Sequence, residues 1–261
     1  MKETKVFAVF AVCAEAIRQG TLIRRVSRTD KEFHFQNWFE RCLKGIEVHY
    51  EKSGRNSYPD FTLVEFTEGY EAKGLAYPGR ESTYDCNSRV PTGYHNGRDI
   101  YYVFGRYPKV GDAENEYPVI DLVICHGDFL NADHDYVHEN KSVKGFGSYG
   151  DIMIRDRKMY VAPTPFAAAH GLSGTRTLIV PASFLVPANL KKVGNLVRVE
   201  ADTLVLGYEF NLKTNRLLAS TIANPDAGRE HTFTAYRVLA DSDSPVTIAA
   251  GSTEVTDDER D

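Results

Sequence analysis

Asp60, Glu71 and Lys73 stand within one short stretch, Tyr58-Pro-Asp-Phe-Thr-Leu-Val-Glu-Phe-Thr-Glu-Gly-Tyr-Glu-Ala-Lys-Gly74. Two carboxylates and an ammonium brought together have a definite chemistry. Carboxylate oxygens hold a hard divalent cation, which polarises a phosphate and lowers the pKa of an attacking water. An ammonium beside them orients that water and offsets the charge that builds on a phosphorane-like transition state. The trio is therefore suited to metal-assisted phosphodiester cleavage, provided the backbone brings its members to one place.

The elements that must do so can be read from the same stretch. An apolar-rich strand begins just after Asp60, Gly69 marks a reversal, and a second strand carries Glu71 and Lys73, which are two apart and so share a face. A tight turn at Thr67 to Gly69 would pair Asp60 near Ala76, about five residues or roughly 16 Å from Glu71, too far to share an ion. A wider turn beginning near Glu65, or a bulge, brings the carboxylates together. Elsewhere the patterns predict helices over 4–19 and 30–44, the second after the cap region Ser27-Arg-Thr-Asp30. Strands are expected at 61–65, 70–76, 99–106, 118–125, 158–162 and 176–181, then in a β-rich run at 195–200, 203–210, 216–222 and 231–238. The polar stretches 77–98 and 126–151 are too long for plain turns and read as functional loops.

Pro59-Asp60, ten intervening residues and Glu71-Ala72-Lys73 resemble the motif of the PD-(D/E)xK nucleases, the superfamily of many type II restriction endonucleases. The resemblance covers about residues 25–130 and implies an α/β fold, a restriction-endonuclease-like core with a mixed central β-sheet flanked by helices. It implies magnesium held by Asp60, Glu71 and the backbone carbonyl of Ala72, with Lys73 assisting the water. Such enzymes commonly place a helix before the motif with a glutamate facing the metals. Glu40, on the amphipathic segment that turns Phe35, Trp38, Phe39, Cys42 and Ile46 inward, is the match; the plain alternative is a solvated helix acid. The implied activity is sequence-specific hydrolysis of double-stranded DNA to 5'-phosphate ends, and palindromic sites imply a homodimer. A structure-specific repair or junction nuclease of the same fold, or a non-catalytic DNA-binding protein, stays open beside it.

The loop after the second strand concentrates Asn87, Ser88, Arg89, His95, Asn96 and Arg98, types that read base edges or grip phosphates. Lys141 and Lys144 lie in a basic stretch that could track a phosphate backbone. Both segments read equally as polar surface loops. Asp128, His134 and His138 have the residue types for a metal site, but no HExxH or cysteine partners accompany them. Glu139-Asn-Lys141 is a second ExK on a polar background, and Gly145 to Gly150 spells GxGxxG with no strand leading in, which excludes a dinucleotide-binding turn.

The four cysteines are widely spaced and form no CxxC, which suits a reducing compartment and a cytoplasmic expectation. The apolar Val6 to Ala14 has the look of a signal peptide, but Val6, Phe10, Cys13 and Ile17 recur at helical spacing, which predicts a core helix instead. No run is long enough to span a membrane. The net charge of -5 is misleading for a nucleic-acid partner: residues 240–261 hold seven acids against Arg260 alone, so the rest of the chain is close to +1. The expected organisation is a single nuclease domain over 1–239, with a β-rich addition at about 175–239, followed by an acidic disordered tail over 240–261.

Overall fold

Strict alternation in the long strands sorts their side chains onto two faces, both of which are covered. The computed structural model describes residues 4–25, 32–54, 58–79, 81–87, 90–109, 115–132, 149, 153–154, 160–211 and 216–249. In chain order the elements are α1 (Val6–Arg18), β1 (Ile23–Arg24), α2 (Glu32–Leu43), β2 (Tyr50–Lys52), β3 (Phe61–Leu63), β4 (Glu68–Tyr77), β5 (Thr83–Asn87), β6 (Tyr94–His95), β7 (Arg98–Pro108), β8 (Glu116–Tyr117), β9 (Asp121–His126), β10 (Met153–Ile154), β11 (Tyr160–Pro163), α3 (Pro165–Ala168), β12 (Ala169–His170), β13 (Arg176–Pro181), β14 (Leu190–Val199), β15 (Thr203–Asn211), β16 (Arg216–Ala223), β17 (Glu230–Val238) and β18 (Thr247–Ile248).

The protein is mixed α/β. A large mixed sheet runs in the order β14-β17-β13-β9-β7-β4-β3-β2, with β6 as a further partner of β7. The pairs β4·β7 and β9·β13 are parallel and the others antiparallel. On one face, α1 and α2 close over Phe61, Tyr70, Ala72, Tyr101, Val103, Leu122, Ile124, Leu178 and Val180. On the other, Leu75, Tyr102, Phe104, Val123, Cys125, Ile179 and Phe233 pack beneath Tyr84, Cys86 and Ala162 of a small β10-β11-β5 sheet. Burial on both faces explains why the β9 sequence is an unbroken apolar run, buried at all six positions. No helix among the described residues is long and apolar enough to cross a membrane.

The depth at which α2 sits is set by two glycines. Gly74 and Gly105 are direct partners across β4 and β7. A Cβ on Gly105 would lie 2.1 Å from Cε2 of Phe35, and one on Gly74 would lie 2.7 Å from its Cβ. Phe35 therefore sinks into a flat spot that no other residue type would leave. Trp38 Nε1 donates to Thr21 O at 3.0 Å, tying the same helix to the segment after α1.

All the longer expected elements are present, with boundaries shifted by a few residues. The short strands β1, β2, β5, β6, β8, β10, β12 and β18 were not legible, and two of them, β5 and β6, lie inside the expected loop 77–98. Two organisational expectations are corrected. The β-rich 175–239 stretch is not an addition, because β13, β14 and β17 extend the central sheet and only β15 and β16 pair apart as a ribbon. Nor does a tail begin at 240. Fully buried Arg237 donates to the carbonyls of Gly171, Ser242 and Ser244, Asp241 pairs with Arg176 at 2.9 Å, Val246 is buried, and β18 pairs with β12. Residues 250–261 lie outside the described residues.

Two predictions follow from this packing. Gly105→Ala is expected to cost about 1–3 kcal/mol by lifting Phe35, read as a lower denaturant midpoint at unchanged m-value. Glu68, 1 % exposed, accepts from Lys5 N at 2.8 Å and Tyr70 Oη at 2.7 Å. Burial pushes its carboxyl pKa up, against the lowering effect of these hydrogen bonds. A carboxyl raised in the folded state gives its full stability below the unfolded value, about 4.3, and loses it as pH rises through the folded one. The Tm of Glu68→Gln relative to the native chain should therefore improve between pH 4 and pH 8.

Candidate functional site

The register of β3 on β4 decides whether the three residues meet. Phe61 faces Tyr70 and Thr62 faces Gly69, so one step further out Asp60 faces Glu71, at positions whose Cα atoms are about 5 Å apart in such pairs. The reversal is made by the wider loop Val64–Thr67 between the strands, as the spacing of the acids requires. Arg98 holds this loop, with Nη1 donating to the carbonyls of Leu63 and Phe66, each at 2.8 Å. Gly69 is not the turn residue. It lies within β4 and makes room for Pro59, whose Cγ would be 2.5 Å from a Cβ there.

Every carboxylate oxygen of the pair receives a donor. Asp60 Oδ2 accepts from Ala72 N at 2.8 Å, and Oδ1 from Gln36 Nε2 at 3.0 Å. Glu71 Oε2 accepts from Asp60 N at 3.1 Å, and Oε1 lies 2.8 Å from Lys73 Nζ. The two side chains of the ion pair are 12 % and 18 % exposed. Burial works to lower the Lys73 pKa, but Glu71 and then Asp60 outweigh it and hold the amine well above its ordinary value. Lys73 is thus an ammonium at neutral pH, a donor and a positive charge.

Beside the acids stands a set of hydroxyls. Tyr58 Oη and Tyr102 Oη are 2.7 Å apart, and the Tyr58 ring meets that of His95 edge-on at 5.2 Å. Tyr102 sits opposite Glu71 on β7. Its pKa is pushed up by burial first, then by Tyr58, Tyr84 and the Glu71 charge, so it stays a neutral phenol. Cys86 is pushed up to about 12 by burial, against the lowering effect of Lys73, and is a thiol. It is not a nucleophile in this setting.

The donor set fits a hard divalent cation. Two carboxylates converge, and the N–H of Ala72 points toward the β3 side, which carries its carbonyl to the same side. Each carboxylate oxygen keeps a lone pair beyond the one its donor uses. Among the described residues no group of three or more His, Cys, Asp and Glu side chains forms a metal cluster; an ion here would have two carboxylates and a main-chain carbonyl from the protein.

Other expected residues take different places. Glu40 is not beside Asp60: it accepts from Lys52 Nζ at 2.7 Å and Tyr50 Oη at 3.1 Å and lies 3.4 Å from Lys44 Nζ. The helix residue that reaches Asp60 is Gln36, one turn earlier on the same face, and that i, i+4 relation is the signal that could have found it. Arg98 is committed to the β3–β4 loop. Asn96, at φ 48°, and Gly97, at φ 79°, form the two-residue turn of the β6–β7 hairpin, the Asn-Gly pair such turns favour. Asn87 ends β5, and no side-chain position is described for it. Ser88, Arg89, Lys141, Lys144, His134, His138 and the 139–141 ExK lie outside the described residues. Asp128 approaches His126, whose buried ring packs between Tyr101 and Phe184. Asp121 forms a buried bidentate pair with Arg106.

Lys73→Met leaves the Glu71 carboxylate without its ammonium and is expected to cost about 1–3 kcal/mol, measured by urea denaturation. The double variant Glu71→Gln/Lys73→Met should cost less than the sum of the singles, since neither group is then left alone. No protein-family model, curated protein or solved structure matches the chain.

Proposed function

We propose that the chain is a magnesium-dependent DNA endonuclease built on a restriction-endonuclease-like core, cutting phosphodiester bonds at Asp60, Glu71 and Lys73. The observation that carries this reading is the facing of Asp60 and Glu71 across the β3–β4 pair, with the Lys73 ammonium 2.8 Å from Glu71. Asp60, Glu71 and the Ala72 carbonyl would hold the cation, which when bound supplies Lewis-acid polarisation of the phosphate and a more acidic water. Lys73 donates to the phosphoryl oxygens or to the attacking water and offsets negative charge as it develops. The proton lost by the water goes to solvent or to the phosphate. Water oxygen bonds to phosphorus, the bond from phosphorus to O3' breaks, and O3' takes a proton, leaving a 5'-phosphate and a 3'-hydroxyl. A palindromic DNA site would call for two copies of the chain related by a two-fold axis.

A second reading, a nuclease that recognises DNA shape rather than base sequence, is favoured by one observation. Arg98, one of the side chains suited to reading base edges, is taken up by clamping the β3–β4 loop.

Incubating the purified protein with phage DNA and Mg2+ tests both. Discrete fragments support a sequence-specific enzyme, and cutting confined to branched or damaged duplexes supports the second reading. Asp60→Ala and Lys73→Ala should each lose at least 100-fold in rate, as removal of a transition-state charge partner does. DNA left intact by the native protein with Mg2+ or Mn2+ would sink the nuclease assignment.

A further inference from the structure

The contact between α2 and Asp60 carries a further step, which rests on the nuclease reading. Gln36 is 6 % exposed, flanked by Phe35, Trp38 and Phe39 in the core beneath the sheet. Its amide Nε2 donates to Asp60 Oδ1 at 3.0 Å while Ala72 N donates to Oδ2 at 2.8 Å. Two donors from two different elements, one on each oxygen, fix the carboxylate in both position and plane. Asp60 stands just before β3 begins, so the ladder alone does not hold its side chain.

The chemical type at position 36 is informative. An amide donates a hydrogen bond without bringing charge, so it orients the oxygen and leaves the negative charge of Asp60 for a cation. A lysine or arginine there would orient it too, but would repel the ion. A leucine would fill the space and leave the oxygen without its partner. We infer that Gln36 is a positioning residue that sets the divalent-cation affinity of the site by holding Asp60 in its ligating orientation.

Loss of such an outer partner weakens metal binding by about 10–100-fold in other metal sites. The test uses the full chain and two readouts: Mn2+ binding by calorimetry or by the paramagnetic signal of free Mn2+, and the Mg2+ concentration giving half-maximal DNA cleavage. Gln36→Leu is expected to weaken Mn2+ binding about 10–100-fold and raise the half-maximal Mg2+ concentration in step. At saturating Mg2+ its cleavage rate should return to within a few-fold of native, which a variant with a damaged fold would not do. Gln36→Asn keeps the amide but falls one methylene short, and it should lose affinity in the same direction even where the leucine variant does not fold. Native cation affinity in either folded variant overturns the inference, as does a rate that saturating Mg2+ fails to restore. A native protein that binds no Mn2+ and cuts no DNA sinks the nuclease reading and this one with it, whereas an active native protein with unchanged variants sinks this one alone.

Discussion

Every feature of the site depends on the register of one short strand pair. Three residues, Phe61–Leu63, lie against the start of β4, and their alignment puts position 60 opposite position 71. A slip by one residue would turn Phe61 and Leu63, both fully buried, away from Phe39 and Tyr70 and send them to the opposite face. The burial of two large side chains, worth about 1.5–3 kcal/mol each, guards the register. Pro59 seated over Gly69 and Arg98 bonded to the loop carbonyls add polar and steric locks at either end of the same pair. The polar residues are thus placed by apolar ones, and the acids meet because Phe61 and Leu63 have only one comfortable side to face.

The second support comes from the helix. With Gly74 and Gly105 paired beneath it, Phe35 settles close to the sheet, and the neighbouring residue on α2 comes within reach of Asp60. Side chains at 74 and 105 would hold the helix away, and Gln36 would lose its acceptor. Packing on one face of the sheet therefore governs a polar contact at its edge, while Glu71 and Lys73 point to the opposite face beside Tyr102 and Cys86. The site is assembled from both sides of the sheet.

Local patterns in the sequence revealed more of this than long-range ones. β7, β9 and β13 are dense in β-branched and aromatic residues and announce themselves, and the acid, acid, lysine spacing was readable because β4 alternates as a strand must. The membership of β13, β14 and β17 in the central sheet was not readable, since it rests on the parallel pairing of β9 with β13, some fifty residues apart, and no local pattern encodes a partner. The acidic composition after residue 240 suggested a tail, yet what orders 241–246 is Arg237, a single buried cation whose partners are main-chain oxygens and a threonine hydroxyl. Glycine usually serves turns, and the sequence pattern marks Gly69 as one; in the structure its lack of a side chain admits a proline ring instead. Glu40 is the acid on the right helix and the right face, but it lies one turn beyond Gln36, and it is Gln36 that reaches Asp60.

A purely structural account of Asp60, Glu71 and Lys73 meets an energetic difficulty. Ion pairs removed from water repay their desolvation only with good geometry, and apolar residues of similar size are often as stable or more so. Here two carboxylates converge beside one ammonium, on a strand whose neighbours Tyr70, Ala72 and Leu75 are apolar or aromatic. Leucine or valine at 71 and 73 would suit that strand at least as well. The donors from Gln36, Ala72 and Asp60 N reduce the cost of the carboxylates without neutralising them. On the proposed reading a divalent cation would give the two acids a shared partner, and the cost of burying them would be offset by the ion they hold.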